Sequence, residues 1–149
     1  MEWYRRIVRG LFAVVFIAGG VSHLVLGRLR PEDYAAFGDT ALFGWLGDLW
    51  ASFVIPNIGW LTIVLAVYEI ACGVGMIPRR TVTAAAWGML AFLGFITVVG
   101  YGFPTDSWIE DVVTNRVATV VMAAMLVPLL RTRRERARPD IRGNSSRRV

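Results

Sequence analysis

The chain reads as an all-α integral membrane protein, a four-helix bundle with an aromatic and acidic outer loop between its first two helices. Three observations predict this. The composition is 56% hydrophobic and only 18% charged, against about 45–50% apolar and about 25% charged in a soluble domain. Mean hydropathy is +0.54. The apolar residues gather in four long blocks, each near the ~20 residues that cross a hydrocarbon layer of ~30 Å. Arginines fall almost entirely on alternate connections between those blocks.

The first block, residues 10–27, is GLFAVVFIAGGVSHLVLG, preceded by Arg5, Arg6 and Arg9. A basic flank before an apolar run also describes a signal peptide. No small-x-small site with a soluble domain after it follows here, and further spans do, so the block is expected to stay as the first transmembrane helix. Residues 28–56 are a longer connection in which Glu32, Asp33, Asp39 and Asp48 alternate with Tyr34, Phe37, Phe43, Trp45, Trp50 and Phe53. Aromatics mixed with acids suit the headgroup level. A short interfacial helix is expected around residues 41–54, and the whole connection is a candidate lid. The second block, residues 57–77, holds Glu69; the third, residues 81–103, follows the turn Pro78-Arg79-Arg80; the fourth, residues 112–130, has Asn115 and Arg116 in its first turns. In lipid the backbone must satisfy itself, so these blocks are helices; a barrel would need alternating segments of about ten residues.

Orientation follows from the arginines. The N-terminal flank has three, the Pro78 turn two and the tail from Arg131 eight, against two (Arg28 and Arg30) on the other side. Thirteen against two places both termini in the cytoplasm. The expected division is a four-span transmembrane domain, residues 1–131, and a basic, disordered cytoplasmic tail, residues 132–149. Net charge is +5, with no lysine. A basic tail beside an apolar segment is a topology and anionic-lipid signal, and its distribution argues against nucleic acid. The lone Cys72 lies within an apolar block, which excludes an internal disulfide and reads as packing. Arginine-only basic residues with abundant Ala, Gly and Val suggest a bacterial source, hence an inner membrane. Gly19, Gly20, Gly73, Gly75 and Gly88, with Ala84 to Ala86, Ala123 and Ala124, allow close helix approach.

Ionisable groups within a span carry the functional expectations. Glu69 counts to near the bilayer midplane, where an unpartnered carboxylate takes up a proton rather than stay charged. It would then be a proton relay, an acid/base, an anchor for a cationic or hydroxyl-bearing ligand, or a clasp to a neighbouring helix. His23 lies near the outer end of the first helix, able to exchange protons there or to be satisfied by a carbonyl or Ser22. Arg116 is expected about one turn inside the fourth helix, either snorkelling outward with help from Asp111 or pairing with Glu69. Tyr68, Trp87, Tyr101 and Trp108 are read as interfacial aromatics. With one histidine and one cysteine there is no metal-ligand spacing, and no phosphate loop, Ser/His/Asp set or haem-type histidine pair occurs. No cofactor is evident and the catalytic constellation is incomplete.

The segments FIAGGVSHL, PEDYAAF and YEIACGVGMIPRRTVTAAAWGMLAF resemble the DoxX-like family of small four-helix membrane proteins. The likeness covers about residues 7–100. It singles out Gly20, His23, Tyr34, Glu69, Gly73 and Arg80. Some members are linked with thiosulfate:quinone oxidoreductase, others with membrane oxidoreductase complexes handling thiol or oxidative stress. The resemblance therefore implies a binding or accessory subunit of a membrane-associated redox system. It would hold a lipophilic molecule such as a quinone near Glu69 and contact a partner membrane or cytoplasmic protein. Two alternatives stay open: a proton-coupled enzyme or transporter cycling Glu69, and a purely structural membrane protein.

Overall fold

The computed structural model describes residues 2–130, and all regular structure among them is helical. The tail, residues 132–149, with its expected disorder, lies outside the described residues.

Helix α1 runs Glu2–Leu29, about 42 Å at ~1.5 Å per residue. The chain then turns through a short 3-10 segment, Pro31–Ala35, into α2, Ala36–Asp39. Pro31 starts that turn with its φ already set and no amide to satisfy. Helix α3, Gly44–Leu49, passes through a π turn, Trp50–Val54, and a 3-10 turn, Ile55–Asn57, into α4, Ile58–Gly75. Pro56 cannot donate to the carbonyl four residues back, so the ladder widens before it and tightens over it. The Asn57 side chain donates to the Phe53 carbonyl at 2.8 Å. The expected interfacial helix is thus not a separate element. It is the first part of one 32-residue helical run, Gly44–Gly75.

Helix α5 spans Val82–Val99 and ends at Gly100, whose φ of +88° only glycine adopts freely. Helix α6, Trp108–Asn115, is capped by Ser107, which accepts from the Glu110 amide, while the Glu110 carboxylate reaches back to the Asp106 amide. This is close to the reciprocal capping box. Helix α7, Val117–Leu130, follows after a 45° bend at Arg116. The fourth block is therefore not one straight helix. Three helices are long and apolar enough to cross a membrane, and the fourth passes only as the bent pair α6 and α7.

The most extensive packing is between α1 and α4, which run antiparallel; α5 lies against both α4 and α7. Small residues set the α1–α4 register. Gly27 faces Thr62, Gly20 faces Ala66 and Ile70, and Gly73 faces Ala13 and Ile17. A Cβ on Gly20 would sit 2.8 Å from the Ala66 carbonyl oxygen. Gly20 and Gly27 are one heptad apart, as are Ala66 and Gly73, the repeat that keeps a seam facing its partner in left-handed packing.

The interior divides along its length. Towards the end carrying Arg5 and Arg9 lies a continuous apolar cluster built on Phe12, Phe16, Met76, Met89, Leu126 and Leu129. The buried polar side chains Thr62, Glu69, Asn115, Arg116 and Thr119 all lie from mid-length towards the loop end. Outside, much of the apolar residue set faces away from the protein: in the most apolar stretch of α1 only 28% of residues are buried.

Candidate functional site

Three of the four residues expected to carry chemistry meet at one place. Glu69 lies on α4 where Gly19 of α1 leaves room for its carboxylate; a Cβ at Gly19 would stand 3.1 Å from Oε2. One helical turn further along α1, His23 points its Nε2 at the same oxygen, 3.6 Å away. Its Nδ1 is hydrogen-bonded to the Tyr34 hydroxyl at 2.7 Å. Tyr34 comes from the turn after α1, which folds back over the helix end. Tyr34 is buried there, at 6% accessibility.

Tyr34 is itself fixed by the connection. Trp50 Nε1 donates to the Tyr34 carbonyl at 2.8 Å. Rings stack in sequence from Tyr34 to Phe37 to Trp50 to Phe95 of α5, with centroids 5.9, 6.1 and 6.4 Å apart. Residues 31–57 therefore close the loop end above Glu69, as a lid would. Burial pushes the Tyr34 hydroxyl above its ordinary range, and the charges of Glu69 and Asp33 add to the effect. Tyr34 stays a neutral phenol, free to donate to His23 or to accept from it.

Glu69 is almost fully enclosed, and its Oε2 has no hydrogen-bond partner. A buried oxygen without a partner costs of the order of 1–3 kcal/mol, more if charged. Such a group is what a ligand hydroxyl, a ligand N–H or a proton would satisfy. Ser22 does not serve His23 as one expectation had it: its hydroxyl donates to the Ala18 carbonyl in its own helix.

Arg116 is elsewhere. It does not pair with Glu69 and does not snorkel to the surface; it is buried at the bend between α6 and α7. Its Nη1 lies 2.6 Å from Asp111 Oδ2, and its Nη2 donates to the Thr40 carbonyl at 2.7 Å. The Asp111 contact is ionic rather than an aligned hydrogen bond, since Nε and Nη1 both lack an aligned acceptor. Asn115 accepts from the amides of Tyr101 and Phe103 and donates to the Phe103 carbonyl and to Asp111. The Thr40 hydroxyl donates to Val99 O and accepts from the Gly102 amide. These side chains tie the bend, the α5–α6 connection and the lid into one joint. Beside it opens a cleft of about 800 Å³, lined by Asp39, Thr40, Asp106, Trp108 and Arg116 among others, which does not reach Glu69.

Thr40, Trp50 and Asn115 were not singled out as site residues by the sequence. No motif marks them, because their work is done through distant backbone groups. Trp87 and Trp108 are exposed, as interfacial aromatics would be, whereas Tyr68 ties α4 to α5 through the Gly88 carbonyl at 2.8 Å. Cys72 is buried in the apolar cluster. Among the described residues no group of three or more His, Cys, Asp or Glu side chains is placed to hold a metal ion.

Compared with family models, curated proteins and solved structures, the chain finds no match.

Proposed function

We propose that this chain is a four-span, DoxX-like protein of the bacterial inner membrane that holds a lipophilic molecule, a quinone being the leading candidate, beside Glu69. It would act as a binding or accessory subunit of a membrane-associated redox system. The arginine end faces the cytoplasm and the lid faces outward. The apolar outer surface of α1, α4 and α5 supports insertion, because such a surface is stable in lipid and a liability in water.

One observation carries the ligand reading: Glu69 Oε2, buried and without a hydrogen-bond partner, beside His23 and beneath the Tyr34 lid. A quinol hydroxyl would donate to that oxygen when the carboxyl is ionised. A quinone carbonyl would accept from the carboxyl when it is protonated. The same pair supports the proton-coupled alternative, in which Glu69 cycles its proton without a resident lipophile.

A thermal-shift titration with a short-chain benzoquinone tests the proposal. At a hundredfold excess over Kd, a bound ligand stabilises the folded state by about 2.7 kcal/mol. The wild type is expected to gain Tm and Glu69→Gln to gain much less. Equal shifts in both, or none in the wild type, would remove the quinone.

A further inference from the structure

We propose that Glu69 exchanges protons through the loop end of the protein only, with His23 as the relay and the arginine end sealed. The inference rests on the reading of the chain as membrane-spanning and adds a direction to the chemistry at its site.

The two sides of Glu69 differ in kind. Towards the arginine end the space between α1, α4, α5 and α7 is filled by the apolar cluster of Phe12, Phe16, Met76 and Met89. Among the described residues the cluster's buried side chains are apolar apart from the Cys72 thiol, a poor donor. The hydroxyls at its edges are engaged, Tyr68 on the Gly88 carbonyl and Tyr4 on the Met125 carbonyl. Towards the loop end stands His23, whose side chain is 21% exposed while that of Glu69 is 5% exposed. The ionisable groups around Glu69 are few: His23 on α1, Tyr34 above it, Tyr68 and Cys72 on α4 itself and Tyr101 beyond α5. Helix α5 has no ionisable residue. His23 is thus the polar link between the carboxyl and water.

The geometry gives the steps. With Nε2 carrying its hydrogen towards Glu69, the Tyr34 hydroxyl that holds Nδ1 at 2.7 Å swings aside. A hydronium at the loop end gives its proton to Nδ1, and the Tyr34 oxygen then returns to accept from it. The ring then closes the 3.6 Å gap to hydrogen-bonding range, about 2.6–3.2 Å, and the Nε2–H bond breaks as an O–H bond forms on Glu69 Oε2. One proton has entered, no electrons have moved, and the neutral ring is left as the other tautomer. The first tautomer returns when the steps run backwards: Glu69 Oε2 gives its proton to Nε2, Nδ1 releases its proton to water, and Tyr34 donates to Nδ1 again. Tyr34 is therefore a positioning residue: its hydroxyl can both donate and accept, so it suits each tautomer in turn.

The test uses the full-length protein in sealed liposomes with a defined fraction in each orientation. That fraction is read from labelling of Asp39→Cys in a Cys72→Ala background. Infrared difference spectroscopy follows the protonated carboxyl band that Glu69→Gln removes. The expected result is a band that follows a pH jump on the side facing the loop end and ignores a jump on the arginine side. His23→Leu should slow the response about a hundredfold, the low end of what a positioned proton-transfer group contributes. Tyr34→Phe should slow it too, and serves where His23→Leu fails to fold. A band that follows the arginine side, no band lost in Glu69→Gln, or an unchanged rate in a folded relay variant overturns the proposal. Because sides are assigned by the Asp39→Cys label, inverted insertion would contradict the topology alone.

Discussion

His23 and Glu69 face each other across the α1–α4 seam, with Nε2 and Oε2 3.6 Å apart. Contact at that range is made possible by Gly19 and Gly20, which let the two helices approach until a carboxylate and an imidazole share one space. The seam and the polar site are one feature of the fold.

That coupling predicts a contrast between glycines. Gly20→Ala should destabilise the protein, because its Cβ would meet the backbone of Ala66 as well as Ile70. Overpacking of this kind costs about 1–3 kcal/mol. Gly10→Ala on the same helix meets nothing within 4 Å and should gain roughly 0.5–1 kcal/mol from helix propensity. Thermal unfolding in one detergent measures both; similar Tm values would dismiss the close seam.

Tyr34→Phe keeps the ring stack with Phe37 and removes only the hydroxyl on His23. The expected loss is about 0.5–1.5 kcal/mol, the net worth of one hydrogen bond, because the part-exposed His23 can turn to water instead. Tyr34→Ala should cost more, since the lid loses its packing as well. A Tyr34→Phe protein as stable as wild type, with unaltered ligand retention, would mean that the hydroxyl holds nothing in place.

At the bend, Arg116→Met should be strongly destabilising because it leaves Asp111 partly buried and unpaired. Breaking such a pair costs about 3–5 kcal/mol. Asp111→Asn should also be destabilising, since it strands the more deeply buried Arg116 charge. In a double-mutant cycle the pair should show coupling of about 0.5–3 kcal/mol. Additive losses would demote the ion pair to a bystander.

Much of this was legible in the sequence, and what was not has a common physical cause. Block length and apolar content are local quantities, so four apolar helical segments could be read directly. Glu69 and His23 stood out because ionisable groups next to lipid are costly or purposeful, whereas Tyr34 was singled out only by the resemblance of its PEDYAAF segment to the DoxX-like family. Counting residues from the span ends set Arg116 and His23 at like depth and offered Arg116, not His23, as the partner of Glu69. The choice depended on the glycine register between α1 and α4, and on a bend at Arg116 that no proline announces. Trp50 and Thr40 act on backbone carbonyls 16 and 59 residues away. Such partners have no sequence signature. The π turn before Pro56 joined to α4 a stretch that its acids and aromatics had marked as a separate interfacial helix.

Orientation has its own test. In a Cys72→Ala background, Asp39→Cys should react with an impermeant thiol reagent from outside intact cells, since Asp39 is exposed beside the open cleft. Reaction only after permeabilisation would invert the topology. Removing residues 132–149 should weaken binding of the extracted protein to anionic liposomes, at about 1 kcal/mol per arginine near the surface. Unchanged binding would leave that charge without a lipid role.

The most direct measurement is mass spectrometry of the small molecules carried by gently extracted protein, wild type against Glu69→Gln, with Tm recorded for both. The account predicts a quinone or similar lipophile with the wild type, lost from a mutant that still folds. A wild type that carries no such molecule, paired with a Glu69→Gln protein that unfolds readily, would contradict it and make Glu69 a clasp between α1 and α4.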